Sequence, residues 1–232
     1  MTPQYDLLIK NARVVSAAHD APQAMDIAIT NEKIAALAPS INATSAKEIL
    51  DAKHQLAFPG VVDAHMHTGI YQSLGDDAIT ESQAAAWGGV TTSLNYMRTG
   101  QYYLNKTGPY REFFPEVLDI SKGKFHVDYA YHLAPMMASH IDEITSIITE
   151  QGVTSFKIFM FYGGFGLHGA SSDQSQFLMI PEKERYDIAH FEFVMRGVQA
   201  AREALPQHAP HVSLSLHCET AEIMRAYTER VQ

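Results

Sequence analysis

Short strands with almost no helical periodicity up to residue 58, a Pro59-Gly60 break, and five strand–helix alternations after it predict an α/β chain. Successive βα units predict a parallel sheet, because each helix carries the chain back to the end where the previous strand began. Alternation alone leaves that sheet either open or closed into a barrel. We divide the chain at residues 1–58, a small β domain or part of one, and 59–232.

Each element has its own warrant. Tyr5 to Val15 alternates and then runs apolar, Asp26 to Thr30 alternates, and Lys33 to Leu37 follows the Asn31-Glu32 turn. Ile49 to Phe58 reads as the last strand before Pro59-Gly60. Val61 to His67 opens the second region, and Thr80 to Trp87 reads as a helix stopped by Gly88-Gly89. Thr91 to Tyr96 is the next strand, and Glu112 to Ser121 the next helix. Phe125 to His132 alternates Phe, Val, Tyr and Tyr against His, Asp, Ala and His. Ser139 to Gln151 is predicted helical, Ser155 to Phe161 a strand, Pro181 to Leu205 a long helix, Val212 to His217 a strand, and Glu219 onward a helix.

The 232 residues, 46% of them apolar and 19% charged, suffice for a real core. A net charge of −9 argues against nucleic acid or an anionic membrane as partner, since a phosphate-binding surface needs clustered Lys and Arg. No run of eighteen apolar residues spans a membrane, and Met1 to Asp6 lacks the regions of a signal peptide. The single cysteine, Cys218, excludes an intrachain disulfide and is compatible with a cytoplasmic location.

Three segments carry chemistry. In Asp63-Ala64-His65-Met66-His67 the two histidines stand at i and i+2 on a predicted strand, so both imidazoles share a face. Neutral imidazole is a strong zinc ligand; two surface histidines are the plain alternative. The preceding Phe-Pro-Gly-Val-Val-Asp supports the ligand reading, with Asp63 expected to orient an imidazole. Lys157 lies within the apolar run Ser155 to Tyr162, where a buried ammonium is costly. Such a lysine snorkels to the rim, finds a carboxylate, or loses its charge; a neutral amine can take up carbon dioxide as a bidentate, anionic carbamate. His217 ends the strand Leu214 to His217, with Cys218 beside it expected to be small and buried.

These segments, with Gly75-Asp76-Asp77, Ala84 to Thr92 and the Leu-His-Cys-Glu run, occur in the order found in the cyclic amidohydrolases. The chain resembles that family from about Tyr5 onward, and most closely its dihydropyrimidinase–hydantoinase group. The resemblance implies a (β/α)₈ barrel, of which five βα units are visible, flanked by a β-sandwich portion. It implies two divalent metal ions, usually zinc: His65 and His67 on the more buried ion, carbamylated Lys157 bridging both, and His217 on the second. Tyr162 matches a tyrosine that hydrogen-bonds the developing oxyanion. The implied reaction is hydrolysis of a cyclic amide such as a hydantoin, dihydropyrimidine or related imide by a metal-activated bridging hydroxide. A small-molecule substrate and a homo-oligomer, dimer or tetramer, are the partners it implies.

Departures narrow this expectation. Five strands and the 172 residues after Gly60 fall short of a closed barrel of roughly 250 residues, and the chain stops within an amphipathic helix. The chain reads as truncated, with the family's last ligand histidine and its acid–base aspartate beyond Gln232. Dihydroorotases carry an arginine just after the H-x-H, whereas Thr68-Gly69-Ile70-Tyr71 stands here, which disfavours dihydroorotate. The stretch from Lys157 to His217 is longer than is usual in hydantoinases, and its glycine-rich part, within 163–184, has the composition of a lid. His168 in that stretch is either a substrate contact or a solvated loop histidine. Tyr96, Tyr102 and Tyr103 either line a pocket for a planar ring or fill core and loop. A non-catalytic scaffold of the same fold, or a hydrolase of acyclic amides, are the competing readings.

Overall fold

The computed structural model describes residues 3–70, 72–99, 104, 106–160 and 188–231, excluding the side chains at 221, 224, 225 and 228. Two units make up the chain, Met1–Gly60 and Val61–Gln232.

In the first unit, β1 (Tyr5–Val14) is the central strand, with Leu8 and Ala12 buried. β2 (Gln23–Thr30) pairs with it antiparallel and β3 (Lys33–Ala38) pairs with β2, while β4 (Ala46–Asp51) and the short β5 (Leu56–Ala57) pair with β1 in parallel. The expected strand from Ile49 to Phe58 is therefore two strands. The Asp51 carboxylate accepts the Lys53 amide at 2.9 Å, and Lys53 and His54 take φ values of 50° and 60°, which turns the chain between them. β1 is irregular between Ile9 and Ala12, and the Asn11 φ of 57° marks the bulge. Asp26 on β2 ties it down, accepting the Lys10 ammonium at 2.6 Å, the Asn11 amide at 2.9 Å and the Ile41 amide at 2.9 Å.

The second unit runs β6 (Val61–His67), α1 (Leu74–Trp87), β7 (Val90–Met97), α2 (Tyr110–Ser121), β8 (Asp128–Leu133), α3 (Ala138–Asp142), α4 (Ile144–Gln151), β9 (Ser155–Phe159), α5 (Ile188–Ala204), β10 (Ser213–His217) and α6 (Ala221–Val231). Its five strands are all parallel and lie in the order β10-β9-β8-β7-β6. A doubly wound sheet reverses direction at a switch point, whereas an unreversed order is that of a (β/α)₈ barrel. The alternation left open and closed sheets equal; the strand order chooses the barrel arrangement.

Several boundaries differ from expectation for local reasons. α1 begins six residues before Thr80, because Ser73 caps it: the Ser73 hydroxyl accepts the Asp76 amide at 3.2 Å and donates to the Asp76 carboxylate at 2.6 Å. Ser73→Ala is expected to cost about 1 kcal/mol of unfolding free energy, measured by chemical denaturation. The predicted helix from Ser139 to Gln151 is two, broken at Glu143. That carboxylate accepts the Tyr110 amide at 2.7 Å and the Arg111 amide at 3.3 Å, which satisfies the first turn of α2. β8 begins at Asp128 rather than Phe125; the Phe125 ring instead stacks on Tyr129, 4.2 Å between centroids. Among the described residues no helix is long and apolar enough to cross a membrane.

The parallel sheet has two faces with different contents. Tyr131 and Leu133 of β8, with Phe156 and Ile158 of β9, join Phe114 and Val117 of α2, Ile147 and Ile148 of α4, and Val194 and Val198 of α5 in one buried apolar cluster. Side chains alternate along each strand, so the residues between these point to the other face. That face carries His132, Lys157 and Phe159, and the pairing of His67 with Tyr96 and of Tyr96 with His132 places β6 and β7 residues beside them.

Candidate metal centre

Most groups of this face sit at the C-terminal ends of their strands, where barrel enzymes build their sites, and Lys157 stands at the middle of β9. His67 ends β6, Phe159 ends β9 and His217 ends β10, while Tyr96 and His132 are each one residue from the end of β7 and β8. The chain leaves β6 through Gly69, whose φ of +81° suits glycine, and the Gly69 amide donates to the Asp77 carboxylate at 2.7 Å. This bond fastens the segment after the H-x-H to the first turn of α1.

His65 and His67 meet through their Nε2 atoms, 3.0 Å apart, with their rings edge to face at 4.7 Å. On its other side, His65 Nδ1 lies 2.9 Å from Nε2 of His132, which is 1% exposed. Tyr96, fully buried, sets its ring 5.2 Å from that of His67 and 5.8 Å from that of His65. The Phe159 ring stands between this group and His217, with centroid distances of 6.0 Å to His65 and 4.8 Å to His217. His217 Nε2 donates to the Glu219 carboxylate at 2.7 Å.

Electrostatics keep the imidazoles neutral. Burial, then the charges of His65 and Lys157, push the His67 pKa down to about 4. Burial and the His65 charge push His132 down to about 3. His65 is also lowered, by burial first and then by the Lys157 ammonium. At neutral pH all three are therefore in the form that offers a lone pair. Burial lowers the Lys157 pKa as well, and the carboxylate of Glu219 only partly opposes this. The Lys157 ammonium lies 5.1 Å from the Phe159 ring centre and forms no hydrogen bond or ion pair among the described residues. Of the three outcomes for a strand lysine, a carboxylate partner is thus not the one observed there.

The donor set suits a divalent cation. Two imidazoles on one tetrahedral zinc, with bonds of about 2.0–2.1 Å, stand about 3.3 Å apart, near the observed 3.0 Å. Among the described residues no three His, Cys, Asp or Glu side chains form a metal site by themselves. Lys157 as its carbamate is chemically able to add a donor to the two imidazoles.

The expected residues fall into place unequally. Lys157 and His217 line one open depression with Glu219 and Ile223, and Lys157 influences both members of the H-x-H pair. Asp63 does not reach an imidazole through a hydrogen bond: its carboxylate accepts the backbone amide of His65 at 3.0 Å, so it shapes the strand. Cys218 is exposed, not buried, with its thiol 3.5 Å from the Leu216 carbonyl. Tyr162, His168, Tyr102 and Tyr103 lie outside the described residues. Two residues were missed. Arg98, just past β7 and 2% exposed, adds its charge to the field on His67. His132 could have been found, because it stands on the polar-and-small side of the alternation in the third barrel strand.

No protein-family model matches the chain. It is 33% identical over 160 residues to the D-hydantoinase of Geobacillus stearothermophilus, covering 67% of this chain and 32% of that protein. It is 34% identical over 166 residues to the D-phenylhydantoinase of Escherichia coli, covering 67% of this chain and 33% of that protein. The chain thus spans about a third of the length of the curated relatives it matches. Among solved structures, the L-hydantoinase (dihydropyrimidinase) of Arthrobacter aurescens superposes with a TM-score of 0.71 at 20% identity, over 98% of this chain and 44% of that one. The D-hydantoinase of a Bacillus species superposes with a TM-score of 0.69 at 23% identity, over 97% of this chain and 43% of that one. The structural likeness shows the fold.

Proposed function

We propose that this relative of the hydantoinase–dihydropyrimidinase group takes part in metal-dependent hydrolysis of a cyclic amide C–N bond, in a hydantoin, dihydropyrimidine or related imide. The observation that carries the reading is the approach of His65 Nε2 and His67 Nε2 to 3.0 Å at the mouth of a barrel-type sheet, beside a lysine of lowered pKa. His65 and His67 would hold one cation, Lys157 as its carbamate would bridge to a second, and His217 would hold that second ion. When bound, the two cations, zinc in the simplest case, lower the pKa of water and polarise the amide carbonyl.

The chain's own residues do the rest. The neutral imidazoles offer lone pairs without first giving up a proton to solvent. The Glu219 carboxylate accepts a hydrogen bond from the Nε2–H of His217, which leaves Nδ1 as that ring's lone-pair nitrogen. Tyr96 and Phe159 wall one side of the site with rings, 5.1 Å between centroids, which lowers the local polarity and strengthens charge interactions there. In this reading Tyr162 donates to the oxyanion as the carbonyl carbon becomes tetrahedral. The proposal also takes the protein to be cytoplasmic and to work as a homo-oligomer.

The test is ring opening of a panel of cyclic imides and ureides, before and after chelation. Loss of turnover on chelation and its return with zinc are expected. Fewer than about one bound metal per chain, which cannot populate a two-ion site, together with unchanged turnover after chelation, would refute the proposal.

A further inference from the structure

We propose that His132 is a positioning residue that holds the proton of His65 on Nδ1, so that His65 presents its Nε2 lone pair to the cation. The inference rests on the reading of His65 and His67 as ligands. A neutral imidazole carries one N–H and one acceptor nitrogen, and the partner of the first decides which is which. His65 Nε2 faces His67 Nε2 at 3.0 Å, and His65 Nδ1 faces His132 Nε2 at 2.9 Å. If both rings are to bind through Nε2, His65 must carry its proton on Nδ1, and that proton needs an acceptor. Among the described residues His132 Nε2 is the partner of His65 Nδ1. Asp63, the carboxylate that might have served, is engaged by the His65 backbone amide instead.

The position of His132 suits this role. It is 1% exposed, paired in register with Tyr96, and its ring centroid is 4.9 Å from that of His65 and 5.8 Å from that of Tyr96. A ring so enclosed cannot swing away, so its nitrogen stays aimed at His65. His140 shows what a structural histidine in the same unit looks like. Its Nδ1 accepts the Met136 amide at 3.0 Å and its Nε2 donates to the Gly108 carbonyl at 2.9 Å, so both nitrogens serve the backbone. His132 instead spends a nitrogen on another imidazole 67 residues away in the chain. Filling the core at that place requires only an aromatic ring, whereas fixing a tautomer requires the nitrogen. Partners of this kind typically contribute 10–100-fold to metal affinity.

The experiment compares the wild type with His132→Phe and His132→Gln, the first keeping the ring and the second restoring an acceptor. Long-range proton–nitrogen NMR on histidine-labelled, metal-free protein should show His65 protonated on Nδ1 in the wild type. It should show a mixture of tautomers in His132→Phe. Zinc affinity, measured by competition with a chromophoric chelator, should fall about 10–100-fold in His132→Phe and largely recover in His132→Gln. His65 protonated on Nε2 in the wild type would overturn the inference. Zinc affinity unchanged in His132→Phe would overturn it equally. If the wild type binds no zinc, the proposed function fails, and the tautomer pattern of the metal-free proteins still decides the part of His132. If His132→Phe does not fold, the wild-type tautomer and His132→Gln carry the decision: an Nδ1 proton and near-native zinc affinity support the inference, and their opposites overturn it.

Discussion

Lys157→Ala should abolish the metal-dependent turnover proposed for this site while leaving the fold intact. The side chain occupies the face of β9 that looks toward His65 and His67, and it forms no ion pair among the described residues. Folding lowers its pKa, so the folded state disfavours the ammonium, and that penalty is present at every pH below the folded value. It shrinks as pH rises above that value and is gone only above the unfolded lysine's pKa. Removing the amine therefore relieves a cost at neutral pH, and the melting temperature should stay level or rise. Metal content should fall, because the two histidines alone are half of a tetrahedral shell. Loss of an outer-shell partner costs about 10–100-fold, so loss of the proposed shared ligand should cost at least about 100-fold in kcat/KM. Lys157→Arg should be equally inactive, since a guanidinium stays protonated and cannot form a carbamate. Measured metal content, intact mass and turnover separate the outcomes. A fully active Lys157→Arg would exclude the carbamate, and an unstable Lys157→Ala with normal metal content would make the lysine a packing residue.

Asp26→Ala should produce the largest loss of stability in the N-terminal unit. The Asp26 side chain is 4% exposed and holds the Lys10 ammonium, 24% exposed, together with the amides of Asn11 and Ile41. Breaking a buried pair from one side typically costs about 3–5 kcal/mol, and the partial exposure of Lys10 places this case near the lower figure. The bulge in β1 should loosen as well, because the Asn11 amide loses its acceptor. Burial works to raise the Asp26 pKa, but the bonds from Lys10, Ile41 and Asn11 outweigh it and hold the group below its ordinary 3.8. A carboxylate lowered in this way contributes its stability above the unfolded pKa and loses it as pH falls through the folded one. Urea denaturation should therefore show a wild-type advantage over Asp26→Ala that is constant near neutral pH and shrinks below about pH 4. An advantage that grew on acidification would contradict the assigned ion pair.

The sequence alone determined whatever depends on local periodicity. His65 and His67 share a face because strand side chains alternate, and no tertiary information is needed to see it. The apolar run around Lys157 and the βα alternation are legible for the same reason, as is the break at Pro59-Gly60. Caps and breaks set by side chains were less legible. Ser73 starts α1 with a hydroxyl that also suits a loop, and Glu143 breaks one predicted helix to cap α2, 32 or 33 residues away in sequence. Strand order was beyond the sequence, since sequential and doubly wound sheets share one alternation; only the β10-β9-β8-β7-β6 pairing decides between them. The same holds for the partners of the candidate ligands. Asp63 looked like the group that would orient an imidazole because it is close in sequence, yet its geometry delivers it to a backbone amide. The histidine that does reach His65 comes from β8, two strands away across β7. Which side chains meet across a sheet is set by register between strands, and register is a property of the folded sheet as a whole.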